Sequence, residues 1–438
     1  MRKVQMTPFR NTSPILWLTG AGGYPTLLLS GRSKKGYALE EDQLLMVSVS
    51  GPDRPGILAK FSKVLVEHQI ALEDIEQVSL QNTLGLYMLL RFSQAADSYD
   101  HVIKDLLFEA KMMNLTLNFQ LVSPDHVEEI SRRELIILTH FGDLHFMAAI
   151  SKILAQENAN IESIASETHH GARSFEMLLN IIATTDVNRT KSRIMAKSRE
   201  LNVDLSFQTL SAHRKNKRLI CFDMDSTLVD MEGIDEMARK AGVHREVARI
   251  TDKAMRGDFD FEESLRQRVA MLKGLALADV IEIRDHMQLS DGAEQLLTTL
   301  KWLGYQVGIV SGGFDIFADY LKQKFSLDFT YSNQLEVKNN CLTGKVTGKI
   351  VDAAEKARVI SQLSCDLGIV LDQVVAVGDG ANDALMLSQA GLGIAYNAKK
   401  GLDRIANVSL SKAKFSHIFH LLGINEEDIT EAMSCERI

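Results

Sequence analysis

Three short apolar runs in the second half of the chain each end in small polar residues, and that arrangement restricts the fold more than any other feature. Leu219 to Phe222 leads into Asp223-Met224-Asp225-Ser226-Thr227, Val307 to Val310 into Ser311-Gly312-Gly313, and Val374 to Val377 into Gly378-Asp379-Gly380-Ala381-Asn382-Asp383. Short β-branched runs bounded by turn formers read as buried strands of a parallel sheet. In open α/β sheets, ligands bind outside the carboxyl ends of such strands. The pattern therefore predicts an α/β domain with one site where these ends converge.

The residues at those ends suit phosphate chemistry with a cation. Residues two apart on a strand share a side, so Asp223 and Asp225 face one site, where two like charges need a counterion. A divalent cation meets that need, and an all-oxygen setting without nearby His or Cys favours Mg2+ over zinc. Ser311 and the adjoining backbone amides can bond phosphoryl oxygens, Lys356 can neutralise them, and Asp379 can add a further metal carboxylate. Each has a plain alternative: Ser-Gly-Gly as a turn, Lys356 as a solvated side chain, Gly-Asp-Gly as a loop. Their joint order along the chain favours a site.

At 438 residues the chain exceeds one common core and fits roughly two to four domains. Residues 1–42 show no periodicity, and Gly20-Ala21-Gly22-Gly23 reads as a surface loop rather than a phosphate loop; the role of this extension is open. From Leu44 the pattern runs strand, turn at Gly51-Pro52-Asp53-Arg54-Pro55-Gly56, helix, paired strands, amphipathic helix, strand, the βαββαβ order of a ferredoxin-like α+β module. The order returns from Glu134, and Phe61-Ser62-Lys63-Val64-Leu65 matches Ile150-Ser151-Lys152-Ile153-Leu154 at an offset of 89 residues. Two tandem modules, 43–124 and 132–210, are expected. The Asp53–Gly56 turn either aims helix-start amides at a ligand carboxylate or is a plain strand-to-helix turn. The second module has Phe141-Gly142-Asp143-Leu144 there and lacks the prolines. The basic run Ser211 to Arg218 reads as a solvated linker, with a catalytic domain over 218–425.

Composition narrows the classes. A net charge of -8 argues against a nucleic-acid surface, which needs clustered Lys and Arg. Cys221, Cys341, Cys365 and Cys435 form no CxxC pair and suggest neither a zinc site nor a disulfide framework. Arg2, Lys3 and Arg10 precede Pro14-Ile15-Leu16-Trp17-Leu18, but a Gly-rich stretch interrupts that run and no cleavage site follows. No run reaches the ~18 apolar residues of a membrane span. The sequence predicts a soluble, cytoplasmic protein with no membrane or nucleic-acid partner.

Taken together, the strand-end motifs and Lys356 resemble the haloacid dehalogenase superfamily, whose four motifs are the nucleophile strand, the Ser or Thr strand, the Lys and the acidic metal loop. Within it, Asp223 to Glu232 and Phe261-Glu262-Glu263-Ser264-Leu265-Arg266-Gln267-Arg268-Val269 resemble the phosphoserine phosphatases, over 218 to about 420. Residues 43 to 210 resemble tandem ACT domains, the first more closely. The resemblance implies a Rossmann-like catalytic domain with a small helical cap, about 233–290, after two ferredoxin-like modules. It implies hydrolysis of O-phosphoserine, the last step of serine biosynthesis, in which Asp223 attacks phosphorus. Asp225 protonates the leaving hydroxyl and later takes a proton from water. Mg2+ would be held by Asp223, Asp379 and the backbone carbonyl of Asp225. Asn382 would help fix the phosphoryl group, and Asp383 would orient Lys356 or a metal-bound water. Serine or another amino acid at the modules and a homodimer are further expectations.

Substrate choice turns on the cap. On the helix from Phe261 the apolar stripe Phe261, Leu265, Leu272 includes Arg268 but not Arg266. A buried guanidinium needs an anion, either a substrate carboxylate or an internal Arg268–Glu232 salt bridge. The resemblance favours the first, with Glu232 for the substrate ammonium, Met255 and Phe261 as apolar walls, and Ser311 and Gly312 for the phosphate. A phosphatase or phosphotransferase for another phosphomonoester would use the same Asp223, but Arg268 and Glu232 argue against sugars. An amino-acid sensor with a degenerate catalytic domain is opposed by intact Asp223, Asp225, Lys356 and Asp379.

Overall fold

The computed structural model describes residues 43 to 435 apart from 93–98, 123–129, 141–144, 170–171, 183–184, 202, 215, 257, 399–401, 403–405 and 411–413. The Gly20–Gly23 cluster and the Phe141–Leu144 turn thus lie outside the described residues. The chain divides into two units, residues 1–128 and 129–438.

The first unit contains β1 (Gln43–Pro52), α1 (Ile57–Glu67), β2 (Ala71–Leu80), β3 (Thr83–Phe92), α2 (Tyr99–Met112) and β4 (Thr116–Val122). Its antiparallel sheet has the order β2-β3-β1-β4. Alternation explains the layer: Leu84, Leu86, Met88, Leu90 and Phe92 on β3 and Leu45, Val47 and Val49 on β1 point inward. They meet Ile57, Phe61, Val64 and Leu65, which recur at helical spacing on α1. Gln81 and Asn82, both at positive φ, make the tight turn between β2 and β3.

The second unit begins by repeating this order: β5 (Ile130–His140), α3 (His145–Gln156), β6 (Ala159–His169), β7 (Ala172–Ile182), α4 (Val187–Leu201) and β8 (Asp204–Thr209). The strand order β8-β5-β7-β6 reproduces β4-β1-β3-β2. Ile150 and Leu154 are core residues here, as Phe61 and Leu65 are in the first unit, which accounts for the repeat seen in sequence.

The rest of the unit holds β9 (Leu219–Phe222), α5 (Gly233–Lys240), α6 (His244–Met255), α7 (Phe261–Met271), α8 (Leu277–Asp285), α9 (Ala293–Trp302), β10 (Gln306–Phe314), α10 (Asp315–Lys324), β11 (Phe329–Lys338) and β12 (Cys341–Thr347). It ends with α11 (Ala353–Asp366), β13 (Val374–Gly378), α12 (Ala384–Gln389), β14 (Leu392–Tyr396), β15 (Val408–Leu410), α13 (His417–Leu422) and α14 (Glu426–Cys435). Strands β11, β10, β9, β13, β14 and β15 lie side by side in that order and run parallel, with β12 antiparallel at the edge. Strand order reverses between β9 and β13, the position at which open α/β sheets place ligands. Helices α5 to α8 form the cap. The β11–β12 hairpin clasps it: Gly274 N donates to Leu342 O and Leu342 N to Leu275 O, both at 2.9 Å.

Two features differ from the sequence reading. β8 pairs antiparallel with β15, so the second module and the catalytic sheet form one 11-stranded sheet. The stretch 211–218 is also not a solvated linker throughout. Arg214 is buried and pairs with Glu176 at 3.0 Å, and the buried Lys217 donates to the Asp372 carbonyl. Charge density suggested solvent, but each cation finds its acceptor in a segment distant in sequence. Among the described residues no helix is long and apolar enough to cross a membrane.

Candidate active site

The site is built from three strand ends and one helix. β9 stops at Phe222, so the chain is already turning at Asp223. Thr227 N and Val229 N both donate to Met224 O, and Ser226 takes a positive φ of 56°. Asp223 and Asp225 therefore point to different partners. Asp223, 3 % exposed, receives Met224 N–H on Oδ1 at 2.8 Å, and Lys356 Nζ lies 2.8 Å from the same oxygen. Both bonds fall on Oδ1.

Lys356 comes from the first turn of α11, capped by Asp352 accepting from Glu355 N at 2.8 Å. It is wholly buried and also donates to Asp383 Oδ1 at 2.7 Å. Burial alone would lower its pKa, but Asp223 and Asp383 outweigh that and hold the ammonium above its ordinary range. Asp383 is fixed by Gly380 N donating to Oδ2 at 2.9 Å. Burial, then the charge of Asp223, push its carboxyl up, against the pull of Lys356.

Carboxylate oxygens of Asp223, Asp379 and Asp383 lie within 4.8 Å of one another, all buried. Three carboxylates beside one ammonium form a negative, all-oxygen cluster that fits a hard divalent cation. Asp383 thus lies in the cluster as well as against Lys356.

Asp225 is half-buried at its surface yet enclosed by protein. Its Oδ1 accepts from Gly233 N at 2.8 Å. Burial first, then the charge of Glu232, raise its carboxyl to about 8, with the Gly233 amide opposing. A carboxyl raised that far can hold a proton near neutral pH. Gly313 is required beside it, because a Cβ there would lie 2.2 Å from Asp225 Oδ2.

Ser311 is buried in the C-terminal half of β10, where pairing with β11 breaks, and its Oγ accepts from Gly313 N at 2.9 Å. Gly312 lies against the cap, with Phe261 Cζ 3.1 Å from where its Cβ would be. Glu232 accepts from Ser226 Oγ at 3.0 Å. Arg268, half-buried on α7, has only a 3.4 Å contact from Nε to Ser264 O, and among the described residues no carboxylate forms a salt bridge with it. The internal Arg268–Glu232 pair is thus not formed. Burial lowers its pKa, with Asp235, Glu232 and Asp225 opposing; the sequence analysis did not single out Asp235. Arg266 pairs with Glu262 instead. Asn382 stands half-buried beside Gly380. Met255 ends α6, but its side chain lies outside the described residues.

Comparison with known proteins fits this geometry. A haloacid dehalogenase-like hydrolase model matches residues 217–391 and an ACT domain model residues 43–120. A phosphoserine phosphatase of Streptomyces coelicolor is 35% identical over 391 residues, covering 89% of this chain and 94% of that protein. The chain belongs to the phosphoserine phosphatase family. Among solved structures of similar proteins, a probable phosphoserine phosphatase from Vibrio cholerae, unliganded, superposes with a TM-score of 0.53 at 30% identity, over 72% of this chain and 91% of that one. A haloacid dehalogenase family hydrolase from Salmonella enterica serovar Typhi gives 0.59 at 29% identity, over 66% and 98%. Phosphoserine phosphatase membership accounts for the strand-end constellation, the cap and the first module together.

Proposed function

We propose that the protein hydrolyses O-phosphoserine to serine and inorganic phosphate. The observation that carries this reading is the half-buried Arg268, without a carboxylate partner among the described residues, on the cap helix that packs over Gly312. It suits a substrate carboxylate, with Glu232 for the ammonium group and Ser311 and Gly312 for the phosphoryl oxygens. Asp223 attacks phosphorus, and the bond from phosphorus to the serine oxygen breaks as Asp225 gives that oxygen its proton. Water then attacks the aspartyl phosphate, Asp225 takes the proton, and the phosphorus–Asp223 bond breaks to release phosphate. Lys356 keeps Asp223 oriented and offsets charge as two anions approach. Mg2+, held by Asp223, Asp379 and the Asp225 carbonyl with Asp383 alongside, would supply charge neutralisation between nucleophile and phosphate when bound.

The modules would tie activity to amino-acid supply in the cytoplasm. A cavity of about 390 Å³ opens beside the first module's Asp53, Arg54, Gly56, Leu58, Gln77 and Asn82, with the size and mixed polarity for serine or another amino acid. A homodimer through the modules completes the reading. The test is cation-dependent phosphate release from L-phosphoserine beside sugar and alkyl phosphates, with Asp223→Asn as control. Phosphoserine preference lost in the variant is expected; no preference would leave a general phosphatase.

A further inference from the structure

β10 and β11 pair in register up to Val310 opposite Tyr331, and pairing resumes only at Phe314 opposite Asn333. Ser311, Gly312 and Gly313 therefore bulge out of the ladder, and their peptide groups need other partners. The fully buried Asn333 supplies one. Its Nδ2 donates to Gly312 O at 2.8 Å, while its Oδ1 accepts from Val351 N at 2.9 Å. On the far edge of the same peptide, Gly313 N donates to Ser311 Oγ. A peptide unit is planar with N–H and C=O opposed, so the Gly312–Gly313 unit is held from both sides. Ser311 Oγ spends an acceptor site on Gly313, which turns its hydroxyl hydrogen away and leaves it to donate to a phosphoryl oxygen. Val351 precedes Asp352, the cap of the helix that carries Lys356. One side-chain amide thus ties the loop bearing the phosphate donors to the start of the helix bearing the ammonium.

We propose that Asn333 is a positioning residue for phosphate binding: acting through Gly312 and Val351, it sets the spacing between the Ser311–Gly313 loop and the Lys356 helix. This rests on the phosphatase reading above. Asn333→Asp keeps the shape and the Val351 bond but turns an acceptor toward Gly312 O; Asn333→Ala removes both bonds. The probe is inorganic phosphate, the product of any phosphomonoester, measured by competitive inhibition and by phosphate-induced thermal shift. Loss of a buried hydrogen bond predicts roughly tenfold weaker phosphate binding in Asn333→Asp, more in Asn333→Ala, with a matching fall in kcat/KM. The cation concentration for half-maximal activity should stay within about twofold, because the acidic cluster is untouched. Phosphate affinity unchanged, cation and phosphate affinity weakened together, or an Asn333→Asp chain that cannot fold would each reduce Asn333 to a packing residue and overturn the proposal. A wild type that binds phosphate but prefers another ester would sink the phosphoserine assignment alone and leave this test standing.

Discussion

Replacing Gly313 with Ala probes the placement of the acid. The new Cβ would lie 2.2 Å from Asp225 Oδ2 and 2.7 Å from Met224 Cε, where ordinary contacts begin at 3.4 Å. Gly313 does not use a left-handed φ, so the effect is contact and not backbone strain. Asp225 must retreat by roughly 1 Å, pulling against its 2.8 Å bond from Gly233 N. A misplacement of that size costs on the order of 100-fold in rate, while overpacking costs about 1–3 kcal/mol of stability. Phosphate release from phosphoserine should therefore show kcat down ~100-fold, with KM little changed and the protein still folded. Asp225→Asn alone should lose about 10²–10⁴. Adding Gly313→Ala to it should lose less than about threefold more, because the group it displaces is already gone. Multiplicative losses in the double variant would mean that Gly313 acts through Ser311 Oγ, 3.2 Å from the new Cβ, and would refute the reasoning, as would a wild-type rate in Gly313→Ala.

Other perturbations give distinct readouts. Lys356→Met leaves Asp223 and Asp383 buried without their ammonium, a loss of about 3–5 kcal/mol, so the chelator-treated variant should melt at least ~6 °C lower; divalent cation should narrow that gap, and an equal gap with and without cation would count against the cluster's charge balance. Arg268→Ala removes a charged hydrogen-bonding group, so KM for phosphoserine should rise by ~10–100-fold, whereas ethyl phosphate, which lacks the carboxylate, should be handled unchanged; equal losses on both would reassign Arg268 to cap packing. In chelator, Asp225 makes folding pH-dependent: its carboxyl titrates near 3.8 when unfolded and about 8 when folded. The native state therefore binds the extra proton between those values. That stabilisation is full below about pH 4 and lost as pH rises through about 8, with an upper limit of roughly 6 kcal/mol. Asp225→Asn should flatten this slope in urea titrations at several pH values, and an unchanged slope would place its source elsewhere.

Local pattern carried much of the molecule. Polar breaks at the ends of β9, β10 and β13 located the site because strand ends in such sheets are where side chains and amides face ligand. Helical spacing separated Arg268 from Arg266, since residues 261, 265 and 268 share a face whatever lies opposite. What the pattern could not give was the partner. Asn333 sits in an ordinary strand, and its one signal is that it shares the inward side of β11 with Leu335, where an amide must find bonds. The β8–β15 join links segments about 200 residues apart, and nothing in a three-residue apolar strand says which edge it will pair with.

Asp223 and Asp225 show why residue type and spacing stop short of role. Both belong to one five-residue motif, and strand geometry would have aimed them at a common counterion. The chain leaves the strand after Phe222, and that single break gives one carboxylate to Lys356 and the other to a backbone amide under the cap. Asp223 Oδ1 is then held against a fixed positive charge, while burial and Glu232 oppose the ionisation of Asp225. The two opposite demands of the proposed reaction, a carboxylate oxygen for attack and a proton at hand, would be met two residues apart by a turn. The glycines at 233 and 313 are what let protein close around the second carboxyl: a Cβ at either would approach its oxygens to 3.3 and 2.2 Å.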